Sequence, residues 1–364
     1  MRIALMTSAK GWRGSGASYA KLARGLSERG HLAQLVTTAP ALTSRFVGEG
    51  LSVSEIPGRN TGPREVRALL GELRRLRAEA VVVDTPRDLR ISAWATLLQG
   101  ARIVYRYNLN YRSPRTDLAD RLYARRIAAC VFQSQFIQDD AVRHQPWITR
   151  IQHYRIPNGY DTSRFVPSSA AGSAFRHRWD IPREALLVLT CAKLARNKGH
   201  EVAIDALSRV RQRGLDLFYV VCGDGPREPA LRALISAANL PACFTGLLQI
   251  DELVAGLAAA DLVLHPSVQE IFPNAVGEAM SCARAIVATD AGGTGELLGR
   301  DGSTGVLVPP DDPVAMAAAV SALLQDPARR ARLGAAARHR IETDFPLGRM
   351  IDSYEDALRQ VIGA

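Results

Sequence analysis

The sequence predicts an α/β protein made of two doubly wound, Rossmann-like domains facing a central cleft. Three observations carry this. The chain has 364 residues, and at roughly one domain per 150 residues that length fits two cores better than one. Short apolar runs alternate with helical stretches from one end to the other, the rhythm of parallel strands joined by helical crossovers. A break rich in turn formers, Ile156-Pro157-Asn158-Gly159-Tyr160-Asp161 followed by the small, polar stretch Val166 to Ser173, divides that rhythm into two series.

In the first series the strand-like runs are Arg2–Thr7, His31–Thr37, Leu51–Pro57, Ala80–Thr85, Arg102–Asn108 and Ala128–Ser134. Helical stretches lie between them at Ser18–Arg29, Arg64–Arg77, Leu89–Gln99 and Thr116–Arg126. The opening Met1 to Met6 is too short an apolar core for a signal peptide, and a glycine-rich turn follows it, so it reads as the first strand. In the second series Leu186–Cys191, Leu217–Cys222, Leu262–Pro266, Ala285–Thr289 and Val306–Val308 read as strands. Glu201–Arg213, Glu228–Asn239, Ala275–Cys282 and Val314–Gln325 read as helices. The expected division is an N-terminal domain over 1–157 and a C-terminal domain over 158–345. A last helix within 346–364, after Pro346, is long enough to cross back onto the first domain.

Composition is that of a globular protein, 47% hydrophobic and 23% charged. No apolar run approaches the roughly 20 residues that span a bilayer. The five cysteines are odd in number and form no CxxC pair, which predicts buried free thiols in a reducing cytoplasm. Charge is unevenly spread. Met1 to Pro157 holds 25 Lys+Arg against 12 Asp+Glu, and the remainder 21 against 24. A basic first half predicts an anionic partner there. The arginine-flanked leucines of Arg64 to Arg77 could dock on anionic membrane, although packing on a sheet explains the same pattern.

The strongest chemical constellation is Gln269-Glu270-Ile271-Phe272-Pro273-Asn274-Ala275-Val276-Gly277-Glu278. Glu270 would follow the strand Leu262–Pro266, at the carboxyl edge where α/β sheets bind ligands. A helix starting near Asn274 would aim backbone N–H groups at the same space, which suits phosphate. Glu278, about one turn into it, could reach back to a diol. Spacing alone leaves a surface Glu270 and a buried, satisfied Glu278 equally open. Lys193 and Lys198 lie on a loop between the strand Leu186–Cys191 and the helix Glu201–Arg213, placed to neutralise a diphosphate or simply to be solvated. Gly14 and Gly16 end a glycine-rich segment that opens the first helix; they would let backbone approach a ligand, or serve as a plain turn. There is no DxD, HExxH, GxSxG or Walker lysine pattern, and His31 and His265 read as structural residues.

Together these segments resemble glycosyltransferase family 4, the retaining enzymes of GT-B fold. The likeness is strongest from Ile156 to Val308. It rests on Ile156 to Asp161 with Phe165, Lys193 to Gly199, Cys222 to Pro226, Glu270 to Glu278, and Gly292-Gly293 with Glu296. The first half is similar only diffusely, through Gly14 to Thr37 and the Ser134 region. The resemblance implies that Lys193 and Lys198 bind the donor diphosphate and that Glu270 acts at the donor sugar. Backbone of Ile271, Phe272, Pro273 and Asn274 would hold sugar hydroxyls and phosphate, and Glu278 the ribose. Four positions depart from the family pattern: Lys193 replaces a usual Arg, Asn108 stands where many members carry a histidine near the reaction centre, and Ala283 and Ala285 replace a common Gly and Pro.

The expected function is transfer of a sugar from a UDP- or GDP-linked donor to a hydroxyl acceptor, with retention and with no cofactor or divalent metal. Precursors of cell-surface polysaccharide or glycolipid are the leading acceptors. A nucleotide sugar, a lipid-linked or sugar acceptor and peripheral contact with the inner face of an anionic membrane are the expected partners, with no nucleic acid among them. The alternatives are a non-catalytic nucleotide-sugar-binding subunit and a sugar-nucleotide epimerase.

Overall fold

The computed structural model describes residues 1–9, 14–58, 61–108 and 123–363. The chain divides into two compact units: Met1–Gly159 with Leu347–Ala364, and Tyr160–Pro346.

The first unit is built on parallel strands β1 (Arg2–Thr7), β2 (Leu32–Thr37), β3 (Val53–Glu55), β4 (Ala80–Val83), β5 (Arg102–Arg106), β6 (Ile127–Phe132) and β7 (Gln152–Arg155). Their order across the sheet is β3-β2-β1-β4-β5-β6-β7. The chain therefore winds outward from β1 to β3 and returns to lay β4 beside β1, which puts a topological switch point between those two strands. Near-continuous apolar runs such as Ala80–Val83, fully buried on both faces, are what such a doubly covered strand requires. The helix Leu347–Gly363 belongs to this unit. Its Met350, Ile351, Tyr354 and Leu358 enter the core beside Leu22 and Leu26. Gly25 makes room for it, since a Cβ there would lie 2.6 Å from Ile351.

The second unit carries β8 (Leu186–Cys191), β9 (Leu217–Cys222), β10 (Ala242–Gly246), β11 (Leu262–His265), β12 (Ile286–Thr289) and β13 (Val306–Val308), in the order β10-β9-β8-β11-β12-β13. All its pairings are parallel, and the switch point falls between β8 and β11. Separate apolar clusters cover the two faces of this sheet.

Several elements depart from the sequence expectation. Val166 to Ser173 is not linker throughout: Ser168 accepts a hydrogen bond from the Ala171 N–H and caps the helix Ser169–Arg178. Phe175 and Gly172 anchor that helix on the helix Ile250–Ala259, so packing overrides its weak local signal. The edge strands β7 and β10 were too polar or too short to read, with their residues half-buried or exposed. The expected helix Thr116–Arg126 falls, up to 122, outside the described residues. Among the described residues no helix is long and apolar enough to cross a membrane.

Candidate functional site

In the second unit, the switch point brings the loops after β8 and β11 together, and both loops carry the charged residues singled out in the sequence. Lys198 closes the first loop, just before the helix His200–Gln212. Glu270 lies in the second, between β11 and the helix Asn274–Ser281. Lys198 Nζ donates to Glu270 Oε1 at 2.6 Å, and His265 Nε2 reaches the same oxygen at 3.1 Å. His265 is the last residue of β11 and is buried, which explains why it reads as structural in sequence; its ring nevertheless points at the carboxylate.

Backbone packing fixes this geometry. Gly199 has φ +65°, and a Cβ there would lie 1.9 Å from the Pro266 carbonyl oxygen. Gly292, after β12, has φ +58°, and a Cβ would lie 1.8 Å from the Glu270 carbonyl oxygen. Only glycine combines that conformation with that approach. Asn197 O accepts from Val268 N–H and from Ser267 Oγ, each at 3.1 Å. Thr289 Oγ1 donates to Ser267 O. Three loops are thus interlocked around Glu270.

Burial pushes the Glu270 carboxyl up, but His265 and Lys198 outweigh it and hold the group at about 2. Glu270 is therefore a permanent anion in a largely enclosed place, beside a cation that a phosphate could also engage. Lys193, half-buried on the same loop as Lys198, has its carbonyl bound by His200 Nε2 at 3.1 Å, which orients the loop backbone. Leu194 N–H donates to Asp224 O at 2.7 Å, tying this loop to the one after β9.

The residues Ile271 to Asn274 divide by role. Phe272 is core, its ring 5.6 Å from that of Phe345. Pro273 caps the helix that starts at Asn274 and has no N–H to offer. The helix Asn274–Ser281 thus begins directly after the loop that carries Glu270, so its amino end lies on the same sheet edge. Glu278 is half-buried inside the helix. Tyr160 packs beneath Gly277, where a Cβ would meet its ring at 2.1 Å. Burial drives the Tyr160 hydroxyl well above its ordinary range, with the charges of Glu278 and then Glu270 adding to it.

The first unit holds its own polar cluster, at the carboxyl ends of β1, β4 and β5. Ser15 Oγ donates to Asp84 Oδ2, and Asn108 Nδ2 reaches the same oxygen at 3.2 Å and Ser15 Oγ at 3.3 Å. The side-chain amides of Asn108 and Gln133 meet at 2.8 Å. Asp88 accepts from the Ser8 N–H at 3.0 Å. Burial drives Asp88 up to about 7 and the Asp84 charge adds to that; Asp84 is itself raised by burial. Asn108 is legible in the sequence, whereas Asp84, Asp88 and Ser15 are not, because two carboxylates four residues apart at a helix start look like ordinary capping. Gly14 and Gly16 lie in the first turn of the helix Gly14–Glu28, Gly14 exposed and Gly16 buried. Gly11 to Arg13 of the glycine-rich segment lie outside the described residues.

Comparison with known proteins places this geometry. A family model described as glycosyltransferase family 4 matches residues 12–164, and one described as glycosyl transferases group 1 matches 185–326. The chain is 30% identical over 222 residues to an alpha-D-kanosaminyltransferase of Streptomyces kanamyceticus, covering 60% of this chain and 57% of the relative. It is 32% identical over 193 residues to a GDP-mannose-dependent alpha-(1-6)-phosphatidylinositol monomannoside mannosyltransferase of Mycolicibacterium smegmatis, covering 50% of each. The chain thus spans about half the length of the curated relatives it matches. Among solved structures, HepE of Anabaena in complex with UDP-glucose superposes with a TM-score of 0.87 at 20% identity, over 98% of this chain and 99% of that one. A glycosyltransferase from Rickettsia africae gives 0.86 at 18% identity, over 99% and 98%. With both of its halves matched and its two sheets of GT-B type, the chain belongs to the family 4 glycosyltransferases.

Proposed function

We propose that this protein is a retaining glycosyltransferase that moves a sugar from a UDP- or GDP-linked donor to a hydroxyl acceptor without a divalent metal. The observation that carries the reading is the ionised, enclosed Glu270 held against Lys198 at the β8/β11 switch point. In this reading Lys198 and Lys193 take the donor diphosphate, and Glu278 takes the ribose diol. Glu270 faces the reacting carbon, where a fixed anion stabilises the positive charge that develops as the glycosidic bond breaks. Leaving diphosphate is stabilised by lysines and helix N–H groups, so no DxD carboxylate pair is needed. Asn108, a hydrogen-bonding amide that cannot titrate, would position a sugar or acceptor hydroxyl. Named relatives that use GDP-mannose and a neighbour crystallised with UDP-glucose support a nucleotide-sugar donor. The basic first unit supports an anionic, carrier-linked acceptor made into surface polysaccharide or glycolipid at the inner face of the membrane.

A thermal-shift screen of nucleoside diphosphates and their sugars is the first test. A ligand at a hundred times its Kd stabilises the native state by about 2.7 kcal/mol. Turnover of the best donor with acceptor extracts, in the presence of EDTA, then separates transfer from mere binding or epimerisation. Absence of any diphosphate effect, or activity that returns only with Mg²⁺ or Mn²⁺, would overturn the corresponding part of the proposal.

A further inference from the structure

The helix Arg64 to Arg77, basic and leucine-rich in sequence, is not itself a free apolar surface. In the structure it spans Pro63–Leu76, and its Leu69 and Leu73 are fully buried. The neighbouring helix, Pro86–Gln99, presents what that one hides. Trp94, Leu97 and Leu98 stand 52%, 54% and 63% exposed. Their spacing of i, i+3 and i+4 puts all three on one helix face. Arg87 and Arg90, nearer the helix start, are half-buried, and Arg87 is engaged with the Gly58 carbonyl, so neither belongs to the open face.

The two helices pack side by side, and Gln99 Nε2 donates to Ala78 O at 2.8 Å where their carboxyl ends meet. On the first helix, Arg75 reaches across to Ser54 of β3 at 3.2 Å, on the flank away from Pro86–Gln99. Arg67 and Arg74 are exposed and only about 20° apart around the axis, on the outward side and off the Arg75 flank. An exposed aromatic and two exposed leucines therefore stand beside a helix that exposes two arginines, in the half of the chain that holds 25 Lys+Arg against 12 Asp+Glu.

We infer that the outward face of Pro86–Gln99, with the Arg67 and Arg74 flank beside it, is a docking surface for an anionic lipid bilayer. Trp94 suits the boundary between headgroups and acyl chains, Leu97 and Leu98 enter the apolar layer, and the guanidinium groups engage lipid phosphates. A second copy of this chain is a poorer occupant. A two-fold contact through this face would set its arginines against their own copies. The surface lies on the helix layer, away from the strand ends that carry Asn108, so docking holds the protein at the membrane without entering the polar cluster. The inference shares the anionic carrier with the proposed function, but vesicle binding is read without donor or acceptor, so the two fail separately.

Vesicle flotation tests it. The wild-type chain should float with phosphatidylglycerol/phosphatidylcholine vesicles and not with phosphatidylcholine alone, and binding should fall with added salt. Trp94→Ser/Leu97→Ser/Leu98→Ser and, separately, Arg67→Gln/Arg74→Gln should each lower the bound fraction by about tenfold or more. Thermal melting of the exposed-site variants should match wild type. Unchanged binding by the triple variant overturns the inference, as does wild type that ignores anionic vesicles. Light scattering that shows a wild-type dimer, converted to monomer by the triple variant, assigns the face to a second copy and overturns it equally.

Discussion

Lys198 Nζ lies 2.6 Å from Glu270 Oε1, so the two residues expected to meet the donor meet each other first. An ammonium carries three donors, and a diphosphate arriving at this loop competes for it or shares it. Lys198→Ala should weaken free UDP or GDP by about tenfold or more, the value of one charged hydrogen bond to phosphate. Arg64→Ala, an exposed helix position, is the control. Equal affinities in a calorimetric titration would remove Lys198 from the site.

His265 then becomes the residue that keeps Glu270 in place when the lysine turns to phosphate. Its Nε2 is 3.1 Å from the same carboxylate oxygen. Glu270 is held at about 2 by His265 and Lys198 acting against burial. Losing either partner moves the carboxyl upward, so the acid limb of a turnover profile should shift to higher pH in His265→Phe. Affinity for the free diphosphate should stay near wild type while kcat falls. A pH profile that overlays wild type, with kcat unchanged, would make His265 a packing residue only.

Much of this arrangement is legible in the amino-acid order, and the reasons are physical. Runs such as Leu186–Cys191 and Leu262–His265 are buried on both faces, so their apolar character is continuous and their carboxyl ends can be read. That places Lys198 and Glu270 on loops of one sheet edge before any coordinates exist. What stays hidden depends on contacts between distant segments. The Ser169–Arg178 helix is stabilised by packing on Ile250–Ala259, and its own residues carry little periodic signal. Asp84 becomes notable only because β1, β4 and β5 bring Ser15 and Asn108 to it from 69 and 24 residues away. The exposed Trp94 face is invisible for the opposite reason. The buried side of Pro86–Gln99 carries Asp88, Ser92 and Thr96 among its apolar residues while leucines and a tryptophan lie open, so the polarity pattern does not separate the two sides.

Gly292→Ala probes the loop interlock. Its new Cβ would sit 1.8 Å from the Glu270 carbonyl oxygen, at φ +58°, so the Glu270 backbone must shift. Gly302→Ala is the matched control, with φ +75° and nothing within 4 Å. Both should lose about 1–2 kcal/mol for the left-handed backbone. Only Gly292→Ala should also lose turnover, by the order of a hundredfold that a 1 Å misplacement costs. Equal kinetics in the two variants would show that the contact does not set the Glu270 position.

Asp88 gives a stability prediction whose sign follows from its raised carboxyl. The group moves from an ordinary 3.8 to about 7 in the folded chain, through burial and the neighbouring Asp84. Between about pH 4 and pH 7 the folded state therefore holds a proton that the unfolded chain releases. Stability should fall as pH rises through that window and level off above it. Asp88→Asn removes the titrating group, so its advantage over wild type should grow from pH 5 to pH 8. Melting curves at those two values measure it. Parallel behaviour of the two proteins would mean that Asp88 is already ionised in the folded state.

Glu270 and Glu278 should separate cleanly in binding and turnover. Glu278 lies one turn into the helix Asn274–Ser281 and is assigned to the ribose, which the free diphosphate and the intact donor share. Glu278→Ala should weaken both by similar factors, a uniform loss seen mainly as a raised KM. Glu270 is assigned to the sugar, which the free diphosphate lacks. Glu270→Gln keeps the shape and the hydrogen-bond capacity for Lys198 while removing the charge. It should bind diphosphate nearly normally and lose kcat strongly, because a fixed anion acts most where positive charge develops. Asn108, in the first unit beside Ser15 and Asp84, is the third arm. Asn108→Ala should lower turnover and leave free diphosphate affinity unchanged. Calorimetry of the three variants with UDP and GDP, beside their steady-state kinetics, tests the assignment as a whole. Loss of diphosphate affinity in Glu270→Gln with retention in Glu278→Ala would reverse the two roles, since no position of a ribose at Glu278 yields that pattern.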